Sequence, residues 1–177
     1  MGFGSRGQGR VCFITRTLSR NIMALKSIRY EFSQHFDVPA GEAYKWCTDY
    51  DPNDPSLMGE KGTRKIEWIS KGAVILTDSA KKDRKTITKT KLVHLDPLTL
   101  TWTNTHVSGP YKYSQFLYRI VPEGKSSSRL EFTGLQLMDV DDNRNARKIA
   151  SAIRKEDSGA WKLLAKALEK DLKDVSV

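Results

Sequence analysis

Three ionisable side chains are placed where they could form an acid–base set: His106, Glu156 and Arg119. His106 ends a stretch in which Leu100, Trp102, Asn104 and His106 alternate with Thr99, Thr101, Thr103 and Thr105, the period of a strand with two distinct faces. An imidazole titrates near neutrality, so one turned into a cavity can act as a general base or bond a ligand carbonyl. The competing reading is a strand-end histidine at a partly solvated rim. Glu156 falls near the centre of the apolar face of the last helix, where a carboxylate requires a partner, and Arg119 could supply one across the cavity. The competing reading is an exposed helix position. Arg119 is ambiguous in itself, because residues 111–121 carry apolar side chains on both faces. The expected ligand-binding lining is Tyr30, Gln34, Trp102, Asn104, His106, Tyr113, Gln136 and Glu156.

Other chemistries find little support. His35, His94 and His106 show no ligand spacing with Cys12 or Cys47, so no metal site is expected. The stretch Asp139-Val140-Asp141-Asp142-Asn143 begins like a calcium loop, but Arg144 stands where a glycine is needed and Ala150 where the closing glutamate belongs. It reads better as a turn and helix start, where acids meet the helix dipole favourably. No phosphate-binding glycine loop or serine-hydrolase elbow is present, and no cofactor is expected. Lys81, Lys82, Arg84 and Lys85 crowd one hairpin, with Lys89 and Lys91 following. Such a run could touch the phosphates of an anionic membrane or of nucleic acid. It also blunts a sheet edge and keeps a protein soluble, which is the favoured reading.

The elements that must position these residues follow from hydrophobic period and turn signals. Ile28, Tyr30, Phe32 and Phe36 alternate with Arg29, Glu31, Ser33 and His35, as a half-buried strand requires. Pro39 then suits the first turn of a helix over 40–48, and the cluster 51–55 leads to a very short helix near 56–58. Strands are expected over 64–70, 73–80, 86–95, 98–107, 111–121 and 129–138, joined by turn-forming residues in an antiparallel meander. A long helix over 145–173 carries an apolar stripe of Ile149, Ala152, Ile153, Ala160, Leu163, Leu164, Ala167 and Leu168.

Bulk properties bound the rest. A chain of 177 residues, 38% hydrophobic and 29% charged, suits one soluble domain. The apolar run 73–76 is far below the roughly 20 residues of a membrane span. Two cysteines with no CxxC pairing read as reduced thiols of a cytoplasmic protein. The net charge of +9 is uneven: residues 1–26 carry five basic groups and no acid, leaving 25 basic against 21 acidic groups, or +4, for the remainder. Residues 1–26 are therefore read as a disordered extension, with a transit peptide or an anion-binding arm as alternatives. The folded domain is placed at 27–175.

The strand running into Phe36-Asp37-Val38-Pro39-Ala40-Gly41-Glu42-Ala43-Tyr44-Lys45-Trp46, the hairpin Tyr118-Arg119-Ile120-Val121-Pro122-Glu123-Gly124 into Ser128-Arg129-Leu130-Glu131-Phe132, and the closing helix resemble the START/Bet v 1-like superfamily (SRPBCC; polyketide cyclase/dehydrase and lipid transport proteins). The glycine-rich loop of its plant allergen-type members is absent, since Gly59-Glu60-Lys61-Gly62 is too sparse. The resemblance implies an α+β helix-grip fold, with a curved antiparallel sheet of about seven strands around the long C-terminal helix and two short helices after the first strand. It implies binding of a lipid, isoprenoid or aromatic, polyketide-like molecule in a central cavity, by a carrier or sensor. A cyclase/dehydrase-type enzyme is the alternative. A second alternative is an RNA- or membrane-associated module that uses the basic leader and hairpin.

Overall fold

The computed structural model describes residues 23–59, 61–82, 85–141 and 145–175. The expectations for residues 1–22, for Arg84 and for the 142–144 part of the calcium-like loop lie outside these. Strand β1, Met23–Phe36, begins four residues before the expected domain start and pairs with the last strand along its whole length, from Met23 opposite Asp141 to Phe36 opposite Ser128. Helices α1 (Ala40–Thr48) and α2 (Asp54–Leu57) follow. Strands β2 (Gly62–Ser70), β3 (Ala73–Lys82), β4 (Lys85–Asp96), β5 (Thr101–Ser108), β6 (Gln115–Pro122) and β7 (Ser128–Asp141) form the meander, and α3 (Ala146–Val175) closes the chain.

The sheet order is β1-β7-β6-β5-β4-β3-β2, antiparallel throughout. The first two strands thus stand at opposite edges, and α1 with α2 carries the chain from one edge to the other. Helix α3 packs along β1 and touches α2. This is the helix-grip arrangement: a curved sheet, a long helix in its concavity, and two short helices across the open side. No helix among the described residues is long and apolar enough to cross a membrane.

Alternation along each strand builds the core. Phe36, Val74, Leu76, Val93, Ile120 and Leu130 are buried from the sheet, and Ala165 and Leu168 from α3. Gly134 is needed for close approach: a Cβ there would lie 2.7 Å from the Tyr30 ring, directly across in register. The bare backbone lets that ring lie over β7.

Two strands start later than the sequence suggests. Residues 98–100 form a turn rather than the start of β5, with Leu100 at φ 53°. Residues 111–113 form another before β6, with Tyr113 at φ 72° and its amide donating to the His106 carbonyl at 2.7 Å. The phase of α3 also differs. Its inward stripe is Ile153, Asp157, Trp161, Leu164, Ala165, Leu168 and Leu172, while Leu163 is 46% exposed and Ala152 faces solvent. Counting Ala152 and Leu163 as core, and omitting Trp161, rotates the stripe by about one residue, or 100°.

Candidate functional site

Between the sheet, α1–α2 and α3 lies a cavity of about 360 Å³, within the range of roughly 300–1,000 Å³ usual for small-molecule sites. Its aromatic wall comes from three elements. Trp102 on β5 and Tyr118 on β6 face each other in register and stack with centroids 4.8 Å apart and planes 1° from parallel. Trp161 of α3 leans over both, 6.4 Å from Trp102 and 5.7 Å from Tyr118. Leu57, Met58, Leu76, Leu164, Trp46 and Cys47 add to the apolar lining, and Tyr50 enters from the α1–α2 connection at φ 40°.

The polar side is a buried ionic cluster on three neighbouring strands. Inward alternation on β3 runs Val74, Leu76, Asp78, and on β4 it runs Lys91, Val93, Leu95. Register puts Arg64 of β2 opposite Asp78, and Lys91 opposite Leu76. Arg64 donates from Nε to Asp78 Oδ1 at 2.7 Å and from a guanidinium nitrogen to Asp78 Oδ2 at 3.3 Å. Its other nitrogen donates to Asp54 Oδ2 of α2 at 2.6 Å, and Lys91 Nζ donates to Asp78 Oδ2. Asp78, Lys91 and Arg64 are 5%, 8% and 9% exposed, so these charges survive only because they are paired. Burial works against ionised Asp78, but the Arg64 bonds and the Lys91 charge outweigh it and hold the carboxyl at about 2. Lys91 must share that one carboxylate with Arg64. For it burial prevails, aided by repulsion from Lys89 and Arg64, and the amine is lowered to about 8.

Asn104 also lines the cavity. Its Oδ1 is buried without a partner among the described residues. Burial, then the Asp157 charge, raises the Tyr118 phenol, which stays protonated and able to donate. At the mouth stand Asp49, Asp51, Asp54 and Asp171. Asp171 accepts from Trp46 Nε1 at 3.0 Å, and burial followed by the Asp54 charge raises Asp49 to about 6.

Of the residues singled out in the sequence, Trp102 and Asn104 line this cavity. His106 shares their strand face but is 6% exposed and lies outside the lining, beside Phe116 at 5.1 Å and opposite Lys91 in register. It is a buried residue, not a partly solvated rim histidine, and its Nδ1 has no partner among the described residues. Burial, then the Lys91 and Lys89 charges, lowers it to about 4. Gln136 is buried away from the cavity lining.

Four positions require correction, and one more is met in a different setting. Glu156 faces solvent, because the true stripe of α3 brings Asp157 inward instead. Arg119 is exposed on the outer face of β6, in register with Glu131, since Phe116, Tyr118 and Ile120 take the inner face. Tyr113 stands 61% exposed in the turn before β6, with Lys112 Nζ 4.7 Å from its ring centroid. Gln34 turns to the adjacent His35 carbonyl at 2.9 Å, in an exposed bond. Tyr30 is buried but lies in a separate open groove between β1, β7 and α3, where its hydroxyl donates to Asp157. The acid–base set of His106, Glu156 and Arg119 therefore does not converge.

The sequence reading missed Arg64, Asp78, Tyr118, Trp161 and Asp157, and it placed Lys91 in a solvated basic run, whereas Lys91 is buried against Asp78. Period-two counting carries Asp78 and Lys91 inward on their strands, and Asp157 stands four residues from both Ile153 and Trp161. Those signals were present.

No protein-family model and no curated protein matches the chain. Solved structures do. The chain is similar to the Zhui aromatase/cyclase from Streptomyces sp. R1128, with TM-score 0.67 and 12% identity over 83% of this chain and 96% of that one. It is similar to a START superfamily protein from Mycobacterium smegmatis, with TM-score 0.60 and 15% identity over 84% and 99%. It is also similar to norcoclaurine synthase from Thalictrum flavum, in complex with dopamine and hydroxybenzaldehyde, with TM-score 0.60 and 16% identity over 94% and 98%. The fold is START/Bet v 1-like, and at these identities the likeness shows the fold alone.

Proposed function

We propose that this START/Bet v 1-like chain binds a hydrophobic or amphipathic small molecule in its central cavity, as a cytoplasmic carrier or sensor. The observation that carries the reading is a cavity of about 360 Å³ walled by Trp102, Tyr118 and Trp161, with Asn104 and Lys91 in the same lining. An apolar body that is flat can lie against the stacked rings, and one polar group at its end meets Asn104, Tyr118 and Lys91. Among lipids, isoprenoids and aromatic, polyketide-like molecules, the aromatic class suits this wall best. A neighbour of the same fold solved with dopamine and hydroxybenzaldehyde supports that choice.

The cyclase/dehydrase reading stays second and rests on one observation, the Lys91–Asp78 pair beside the cavity. The RNA- or membrane-module reading keeps only the exposed lysines Lys81 and Lys85 among the described residues.

The test is titration with the apolar dye N-phenyl-α-naphthylamine. Saturable binding of one dye per chain with blue-shifted emission is expected. Leu164→Trp, which fills the cavity, lowers affinity by about tenfold or more, since losing even a few buried methylenes of contact is worth over 1.4 kcal/mol. Leu163→Trp, on the exposed face next to it, leaves affinity unchanged. Equal binding by both variants would refute the cavity as the site.

A further inference from the structure

Lys91 is the one buried amine of the cavity lining, and the arrangement around it differs from that of a structural ion pair. Asp78, its anion, is already held by two Arg64 nitrogens at 2.7 and 3.3 Å. If Lys91 gives up its proton, Asp78 still keeps both Arg64 bonds, from a guanidinium that it shares with Asp54. On the other side Lys91 borders the space framed by Leu76, Trp102, Asn104 and Tyr118. A desolvated lysine next to another cation is the form in which an amine becomes a nucleophile toward carbonyls.

We propose that Lys91 captures an aromatic or otherwise apolar aldehyde in the cavity as an imine, an inference that rests on the cavity-binding reading above. The neutral Nζ lone pair attacks the carbonyl carbon, and the carbonyl π pair moves to oxygen, which takes a proton. The resulting carbinolamine loses its N–H proton and its hydroxyl as water, leaving a C=N bond. Amine plus aldehyde gives imine plus water, with no change in oxidation state. The protonated Tyr118 hydroxyl can donate to the carbonyl oxygen, and Asn104 Oδ1 can accept only once that oxygen has become the carbinolamine hydroxyl. The ordinary lysine pKa is about 10.4, whereas burial lowers Lys91 to about 8. At neutral pH its free-amine fraction is therefore roughly a hundredfold above that of an exposed lysine.

The test incubates the full chain with β-naphthaldehyde, reduces with borohydride to fix any imine as a secondary amine, and maps the modified peptides by mass spectrometry. A naphthylmethyl group is expected on Lys91 at roughly tenfold or more above any exposed lysine, following from that amine fraction. The non-reactive analogue β-naphthylmethanol should suppress this labelling in the unaltered protein and quench tryptophan emission saturably. Lys91→Arg, which keeps the charge beside Asp78, should abolish it. Labelling spread evenly over surface lysines while the alcohol still quenches would overturn carbonyl capture and leave the cavity reading standing. No quenching and no Lys91 label would overturn both.

Discussion

Asp78→Ala is expected to destabilise the protein by about 3–5 kcal/mol, the usual cost of breaking a buried ion pair from one side. In a chain of this size that lowers the melting temperature by roughly 10 °C. The reason is arithmetic of charge. Arg64 retains Asp54, but Lys91 loses the one carboxylate it contacts, while both cations remain less than a tenth exposed. Lys91 can limit its own cost by deprotonating, as burial already holds it at about 8, so the loss should shrink when the melt is repeated above that pH. The companion substitution is more telling. Replacing Arg64, Asp78 and Lys91 together by Met, Leu and Met should be near neutral or stabilising, because burying apolar groups avoids the desolvation of three ions. A triple variant as stable as the original protein, yet with weakened binding of polar-headed ligands, places the cluster's purpose in the cavity rather than in folding. A triple variant that unfolds like Asp78→Ala would make the cluster a structural brace.

The second large effect is on pH dependence, through His106. Its folded-state pKa of about 4 lies below the ordinary value of 6.5. The folded state therefore binds the proton less readily than the unfolded chain. The stability this neutral ring allows is complete above about pH 6.5 and is lost as pH falls through that value towards 4. A depression of this size corresponds to about 3 kcal/mol. The groups that oppose a charged ring are Lys91 and Lys89, with Asp78 the only opposing pull. Denaturant titrations at pH 7 and pH 4 should show the parent protein losing about 3 kcal/mol more than His106→Leu over that interval. Taking the difference removes the contribution of acids with raised pKa, such as Asp49 at about 6, which titrates in the same interval with the opposite sign. Parallel losses in the two proteins would mean that the imidazole is not held neutral by its surroundings.

Strand alternation and turn chemistry made most of the architecture readable from residues alone: β1 from its alternating aromatics, α1 from Pro39 onward, and a meander whose turns fall where glycine, proline and aspartate cluster. The departures have local causes. Leu100 and Tyr113 adopt left-handed backbone conformations that side-chain type does not announce, and each delays a strand. Phase along α3 turned on whether alanines or Trp161 marked the stripe, and that choice exchanged Asp157 for Glu156. The cavity was half legible. Trp102 and Asn104 follow from the faces of β5, whereas Arg64, Asp78 and Lys91 become a cluster only once register sets β2 against β3 and β3 against β4. Charged residues in a strand read individually as solvent-facing, and only alternation with Val74, Leu76 and Val93 turns Asp78 and Lys91 inward.

The most direct measurement is a proton–nitrogen correlation spectrum of the labelled protein titrated with N-phenyl-α-naphthylamine. Saturable shifts of the Trp102 and Trp161 indole N–H signals and of the Asn104 carboxamide, at one dye per chain, are the predicted result. Shifts confined to exposed apolar residues such as Leu98 and Tyr113, with those three signals unmoved, would contradict a ligand-binding cavity.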